Sequence, residues 1–292
     1  MHEDEFGIDA RLVRRLLAAQ FPEWEELPLE PVHSAGTVHA IYRLGQEMSV
    51  RLPRVARGVG DVERDHRWLP TLAPRLPLDV AVPLARGEPA DGYPWPWSVC
   101  RWVKGQSADV ARPADMAASA RALAQFLGAL RRIDPTGGSP GWRSGPLAGR
   151  DGDVRASIAA LRGTLDTAAL SAAWEAALEA PPWGGPPMWS HGDLLPGNLV
   201  VRRGRLSGVI DFGCAGVGDP ACDAMAAWTF FSGPSREVFR AALSPDEATW
   251  ARGRGWALSL AVIALPYYER RSPAFAGLAR HIIDEVLSDL RP

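Results

Sequence analysis

His191-Gly192-Asp193-Leu194-Leu195-Pro196-Gly197-Asn198 and Ile210-Asp211-Phe212-Gly213 are separated by an insert running from Leu199 to Val209. In that insert β-branched and apolar residues flank a polar, glycine-containing tip. The pattern reads as strand, turn, strand. A hairpin of this kind holds its two ends side by side, so Asp193 and Asn198 can meet Asp211 at one point. Two carboxylates and an amide oxygen, with no cysteine or histidine cage, suit Mg²⁺, a hard cation that prefers oxygen ligands and keeps waters and substrate phosphates. An aspartate beside such a metal can take the proton of an attacking hydroxyl. The same aspartates also read as plain turn caps, since Asp-Gly turns are common.

Three parts occur together: His-Gly-Asp, an asparagine five residues after the aspartate, and Ile-Asp-Phe-Gly after a hairpin. In this the chain resembles the aminoglycoside phosphotransferase family, relatives of the protein kinases. The resemblance implies an α+β, two-lobed protein-kinase-like fold. A small antiparallel-sheet N-lobe spans residues 1–103, with the hinge at its end, and a larger helical C-lobe spans 104–292. It implies transfer of the γ-phosphoryl group of ATP to a hydroxyl of a small molecule, with Mg²⁺ as cofactor and aminoglycoside antibiotics among the candidate acceptors. By the same resemblance Asp193 is the catalytic base, Asn198 a metal ligand and Asp211 the main Mg²⁺ ligand.

Bulk properties narrow the field. A net charge of -2 leaves no electrostatic footprint for nucleic acid. The start, Met1-His2-Glu3-Asp4-Glu5, is acidic and unlike a signal peptide, and the nearly apolar run from Trp256 to Tyr268 is too short to span a bilayer. Three cysteines, Cys100, Cys214 and Cys222, without metal-type spacing favour free thiols in a reducing compartment. The expectation is a cytoplasmic protein, monomer or homodimer, with no nucleic-acid or membrane partner. Lys104 is the only lysine among the basic residues, which are otherwise arginine.

In the N-terminal part, Asp9 to Gln20 predicts an amphipathic helix, and Leu29–Val32, Ala40–Leu44 and Met48–Leu52 predict an antiparallel meander. The small-residue turn before the second strand holds Gly36 and Thr37. In the family such a turn covers nucleotide phosphates, which backbone N–H groups can bind; a plain hairpin turn fits as well. The family usually places a lysine on the next strand. Here Arg51 stands there, planar and bidentate where lysine is a point charge. Glu63, in a helix predicted over Asp61–Leu69, resembles the family's partner for that cation. Ser98 to Val103 predicts the hinge strand, where Cys100 and Trp102 are candidates to line the base-binding slot; tight core packing is the other reading of both.

Beyond residue 104 the pattern turns helical. Ala114–Ile133 repeats apolar residues at three- and four-residue steps. Val154–Leu161, Ala168–Leu178 and a segment from Asp219-Pro220-Ala221 through Phe231 also read as helices. Ser244-Pro245-Asp246-Glu247 reads as a capping box opening a helix that Pro266 interrupts, and Ser272-Pro273 starts the last helix. His191 reads as a packed, hydrogen-bonded histidine, and Asp223 as a buttress of the loop or a solvent-facing residue. Glu269, Asp284 and Glu285 are candidates for a polycation site, but Arg270, Arg271 and Arg280 lie close by. A nucleotide-binding pseudokinase with a sensing or scaffolding role is the alternative function, motivated by Arg51.

Overall fold

The computed structural model describes residues 5–32 and 38–290. Gly36 and Thr37 lie outside the described residues. Helix α1 (Ala10–Gln20) starts at Asp9, whose carboxylate accepts the Leu12 N–H at 2.8 Å. Its buried residues Leu12, Val13, Leu16 and Leu17 share one helix face. After it come strands β1 (Leu29–Pro31), β2 (His39–Leu44) and β3 (Met48–Pro53), then helix α2 (Val59–Leu72), then β4 (Pro83–Gly87) and β5 (Trp97–Arg101). The five strands form one antiparallel sheet in the order β1-β2-β3-β5-β4.

Alternation along each strand sorts its residues onto two faces. Ala40, Tyr42, Leu44, Val50, Leu52, Trp97 and Val99 pack with the α1 stripe in one core. Arg51 and Ser98, paired across β3 and β5, reach α2 instead. There His66 Nε2 meets Ser98 Oγ at 3.1 Å and Arg51 meets Asp65 at 3.0 Å.

The chain then crosses to a helical region. Strand β6 (Gln106–Ser107) and helices α3 (Met116–Arg131), α4 (Asp151–Ala160) and α5 (Thr167–Leu178) come first. Strands β7 (Met188–Ser190), β8 (Leu199–Arg202), β9 (Arg205–Val209) and β10 (Gly216–Gly218) follow. Helices α6 (Ala226–Thr229), α7 (Gly233–Leu243), α8 (Glu247–Tyr268) and α9 (Pro273–Asp289) close the chain. A second, larger core joins these helices, with Phe126, Trp174, Trp228, Phe231, Leu258 and Ile282 among its buried members. Leu69 and Leu72 of α2 belong to this second core, not to the one under α1. The architecture is the two-lobed, protein-kinase-like α+β fold. No helix among the described residues is long and apolar enough to cross a membrane.

Three local expectations are corrected. Helix α8 continues through Pro266, which stands two residues before its end at Tyr268. The i→i−4 bond that proline removes is lost only in the last turn of a helix otherwise buried on most sides. The cap of α8 is Asp246, which accepts from the Thr249 N–H at 2.6 Å; Ser244 instead ends α7 in a left-handed conformation, φ 48°. Lastly, the Asp219-Pro220-Ala221 segment is a 3₁₀ stretch, Pro220–Met225, running into the four-residue α6, and α7 is a separate helix.

Candidate active site

The insert between the two motifs is the expected hairpin. β8 and β9 pair antiparallel, and both Arg203 (φ 51°) and Gly204 (φ 73°) at the tip are left-handed. Two such residues make the type I′ turn whose twist matches the flanking strands. At the other end the Ile210 N–H donates to Asn198 O at 2.9 Å, so Asp211 begins beside Asn198. β7 pairs with β10, Ser190 opposite Gly216, which holds the segments on the far side of both motifs together.

His191 is fully buried and ties one motif to the other. Its Nδ1 accepts the Asp193 N–H at 3.2 Å, which leaves the ring proton on Nε2 to be donated to Ile210 O at 3.1 Å. The ring also stands edge-on to Phe212, centroids 4.7 Å apart. Asp223, fully buried, accepts the N–H groups of His191 (3.0 Å) and Gly192 (2.8 Å). Burial pushes its carboxyl up, against Arg131 and those two amides. Asp223 is therefore the buttress and does not face solvent. Gly192 has φ 77°, and a Cβ there would lie 3.0 Å from Cys214 O, so this position is closed to other residues. Thr229 completes the frame by donating to Leu194 O at 2.6 Å.

Within this frame both Asp193 oxygens have partners. Asn198 Nδ2 donates to Oδ2 at 3.0 Å and to the Asp193 carbonyl at 2.8 Å. Arg143 Nη1 donates to Oδ1 at 2.9 Å. Asn198 Oδ1 makes no hydrogen bond among the described residues. Arg143, in the glycine- and proline-rich loop between α3 and α4, escaped the sequence reading; nothing in residues 135–149 marks it.

Across the hairpin, Asp211 is itself left-handed (φ 63°, ψ 73°), a costly conformation for a residue with a side chain. Its side chain keeps 41% exposure. Burial would raise the carboxyl, but the Arg51 guanidinium outweighs it and holds the group below its ordinary value. Arg51, 8% exposed, lies between two carboxylates: Nη1 to Asp65 Oδ2 at 3.0 Å and Nη2 to Asp211 Oδ1 at 3.3 Å. Burial pushes the Asp65 carboxyl up against the pull of Arg51, and Asp65 Oδ1 has no partner. His39 is driven down to about 3, first by burial and then by Arg51. The partner of Arg51 is thus Asp65. Glu63, two residues earlier and exposed, is not on the face of α2 that meets Arg51, and that expectation is corrected.

The hinge candidates are placed less centrally. Cys100 is 1% exposed, aligned in the sheet between Ser49 and Pro83, and burial pushes its thiol up to about 12. Trp102 donates its N–H to Glu47 O at 2.8 Å and carries the Arg43 guanidinium 5.4 Å from its ring. A cavity there is lined by Glu47, Asp79, Arg101, Trp102, Val103, Lys104 and Arg202; none of Arg51, Asp193, Asn198 or Asp211 borders it. All three cysteines are unpaired.

Comparison with known proteins agrees with this geometry. The model of the phosphotransferase enzyme family matches residues 29–256. The chain belongs to that family. Searched against curated proteins, it finds no match. Similar solved structures include the GDP complex of wild-type aminoglycoside 2'-phosphotransferase-IIIa, at 18% identity and TM-score 0.73, covering 97% of this chain and 99% of that one. Another is the apoenzyme of a macrolide 2'-phosphotransferase from Brachybacterium faecium, at 22% identity and TM-score 0.61, covering 94% and 97%. At such identities the likeness is one of fold.

Among the described residues no three His, Cys, Asp or Glu side chains converge as a metal cage. The candidate donors are oxygens: Asn198 Oδ1, which no described residue engages, and the Asp211 carboxylate, whose side chain keeps 41% exposure. A hard cation completed by phosphates and water fits such a set.

Proposed function

We propose that the protein transfers the γ-phosphoryl group of ATP to a hydroxyl of a small molecule. The observation that carries this reading is Asn198, whose amide nitrogen holds Asp193 while its backbone carbonyl is bonded to Ile210, the residue before Asp211. One residue thereby joins a base to a cation site. The acceptor O–H gives its proton to Asp193 as its oxygen bonds to phosphorus, and the bond from phosphorus to the ADP oxygen breaks. Asn198 and Asp211 would hold Mg²⁺, which supplies neutralising charge to the phosphates. Arg51 presents charge from the sheet side. Residues 1–103 serve as the nucleotide lobe, with the base against the hinge at Cys100 and Trp102, and residues 104–292 carry catalysis and acceptor binding.

The acceptor need not be a polycation. In the helical lobe Glu269 pairs with Arg280, and Glu285 with Arg236, so two of the three acidic candidates are already neutralised. Both aminoglycoside and macrolide phosphotransferases are similar in fold, and both acceptor classes belong in a first panel. The test is mass spectrometry of such alcohols after incubation with Mg²⁺ and either ATP or GTP. A phosphate adduct, absent with Asp193→Ala, is expected. Nucleotide-induced stabilisation with no adduct on any acceptor would favour the pseudokinase reading, which the double engagement of Arg51 by Asp65 and Asp211 supports.

A further inference from the structure

The loop that carries Arg143 is fastened without it. Trp142 N–H donates to Cys214 O (3.1 Å), Val217 N–H to Ser139 O (2.9 Å) and Asp219 N–H to Ser144 O (2.9 Å). These backbone bonds lay the loop along β10 and do not involve the Arg143 guanidinium. That guanidinium points at the catalytic loop. Its Nη1 serves Gly192 O (2.5 Å) and Asp193 Oδ1 (2.9 Å), with Cys214 Sγ at 3.9 Å. Although burial opposes the charge, the Asp193 carboxylate holds Arg143 firmly protonated. Nε and Nη2 make no hydrogen bond among the described residues, and neither is among the sealed, unpartnered atoms.

We propose that Arg143 is a positioning residue for phosphoryl transfer, fixing the Asp193 carboxylate where it meets the acceptor hydroxyl. This rests on the reading of Asp193 as the base. Each carboxylate oxygen has two lone pairs, so Arg143 at Oδ1 and Asn198 at Oδ2 clamp the group from both ends and still leave it able to accept a proton. The clamp is a cation on one side and a neutral amide on the other. Asn198 fixes Oδ2 and Arg143 fixes Oδ1, so rotation about the carboxyl bond is blocked from both sides. Without Arg143 the carboxylate is free to rotate onto Asn198 alone, and the reacting geometry is lost while the nucleotide site is untouched.

The experiment compares wild type, Arg143→Ala, Arg143→Lys and Asp193→Ala with Mg²⁺-ATP, reading both transfer to an acceptor and basal hydrolysis to water. In Arg143→Ala, kcat is expected to fall about 100-fold, the scale of losing one oriented donor or a misplaced group. The KM for ATP and the melting temperature should hold. Arg143→Lys should recover part of the loss, and added guanidinium chloride should speed Arg143→Ala but not Asp193→Ala. An unchanged kcat in Arg143→Ala overturns the proposal, as does a loss that tracks a lowered melting temperature and that neither lysine nor guanidinium repairs. If Asp193→Ala keeps full turnover, it is the base assignment that falls. A readout without turnover separates the two. In protein labelled with ¹³C-aspartate, the Asp193 carboxyl resonance, assigned by its absence from Asp193→Asn, must move in Arg143→Ala, and a resonance that stays put refutes the contact.

Discussion

Around Asp193 most of the hydrogen bonds run from side chains to backbone atoms, whereas around Arg51 the contacts run between charges. His191, Asp223, Thr229 and Asn198 all bind peptide groups of the loop from His191 to Asn198. Arg51 instead shares itself between Asp65 and Asp211, with Asp65 Oδ1 unpartnered and His39 held neutral close by. The first region braces a loop through its backbone, while the second leaves a carboxylate oxygen, Asp65 Oδ1, unmatched among the described residues. Peptide hydrogen bonds fix geometry cheaply, while buried charges are stable only when each is matched.

The contrast can be broken most severely at Asp193. Asp193→Ala should lower kcat by about 10³-fold, the middle of the range for general bases, as initial rates will report. Next comes Asp223. Asp223→Ala strands two buried N–H groups, and about 3 kcal/mol should be lost from the unfolding free energy, measured by urea titration; the same cost at an exposed loop would refute the buttress.

The charged region is probed by pH. His39 has its pKa lowered from 6.5 to about 3, so the folded protein keeps it neutral while the unfolded chain takes up a proton. Its contribution is full above pH 6.5 and is lost as pH falls toward 3. One proton corresponds to a slope of about 1.4 kcal/mol per pH unit. His39→Gln should remove that contribution, leaving those of His66, lowered and of the same sign, and of Asp65, raised to about 7 and of the opposite sign. An unaltered acid limb in the variant would show that His39 is not held neutral. The smallest effect is expected for Arg51→Lys. Losing one of two charge-assisted bonds costs about 1.4 kcal/mol, so the KM for ATP should rise about tenfold with kcat retained. A fall in KM would instead mark Arg51 as a hindrance to the nucleotide.

What could be read from sequence was what is local. The His-Gly-Asp loop, Asn198 and Asp211 lie within a few residues of one hairpin, and the hairpin declares itself by composition. The strands and the α3 stripe were legible for the same reason. The partner of Arg51 was not, because it depends on the phase of α2. Glu63 and Asp65 lie about 200° apart on a helix. Yet the clue was present: Asp65 falls in line with Val62, Leu69 and Leu72, all buried. A carboxylate inside an apolar stripe needs a cation, and that argument selects Asp65 over Glu63. For Arg143 no such clue exists, since a loop side chain can reach in any direction until the tertiary packing is known. Pro266 misled for a third reason, since its cost depends on how near the helix end it falls.

Helix α2 anchors Leu69 and Leu72 in the large lobe, yet offers Asp65 to a strand of the small one. The Arg51–Asp65 pair therefore ties the small sheet to a helix whose apolar end is rooted in the larger core. Removing either partner would leave a buried charge unmatched where sheet and helix meet.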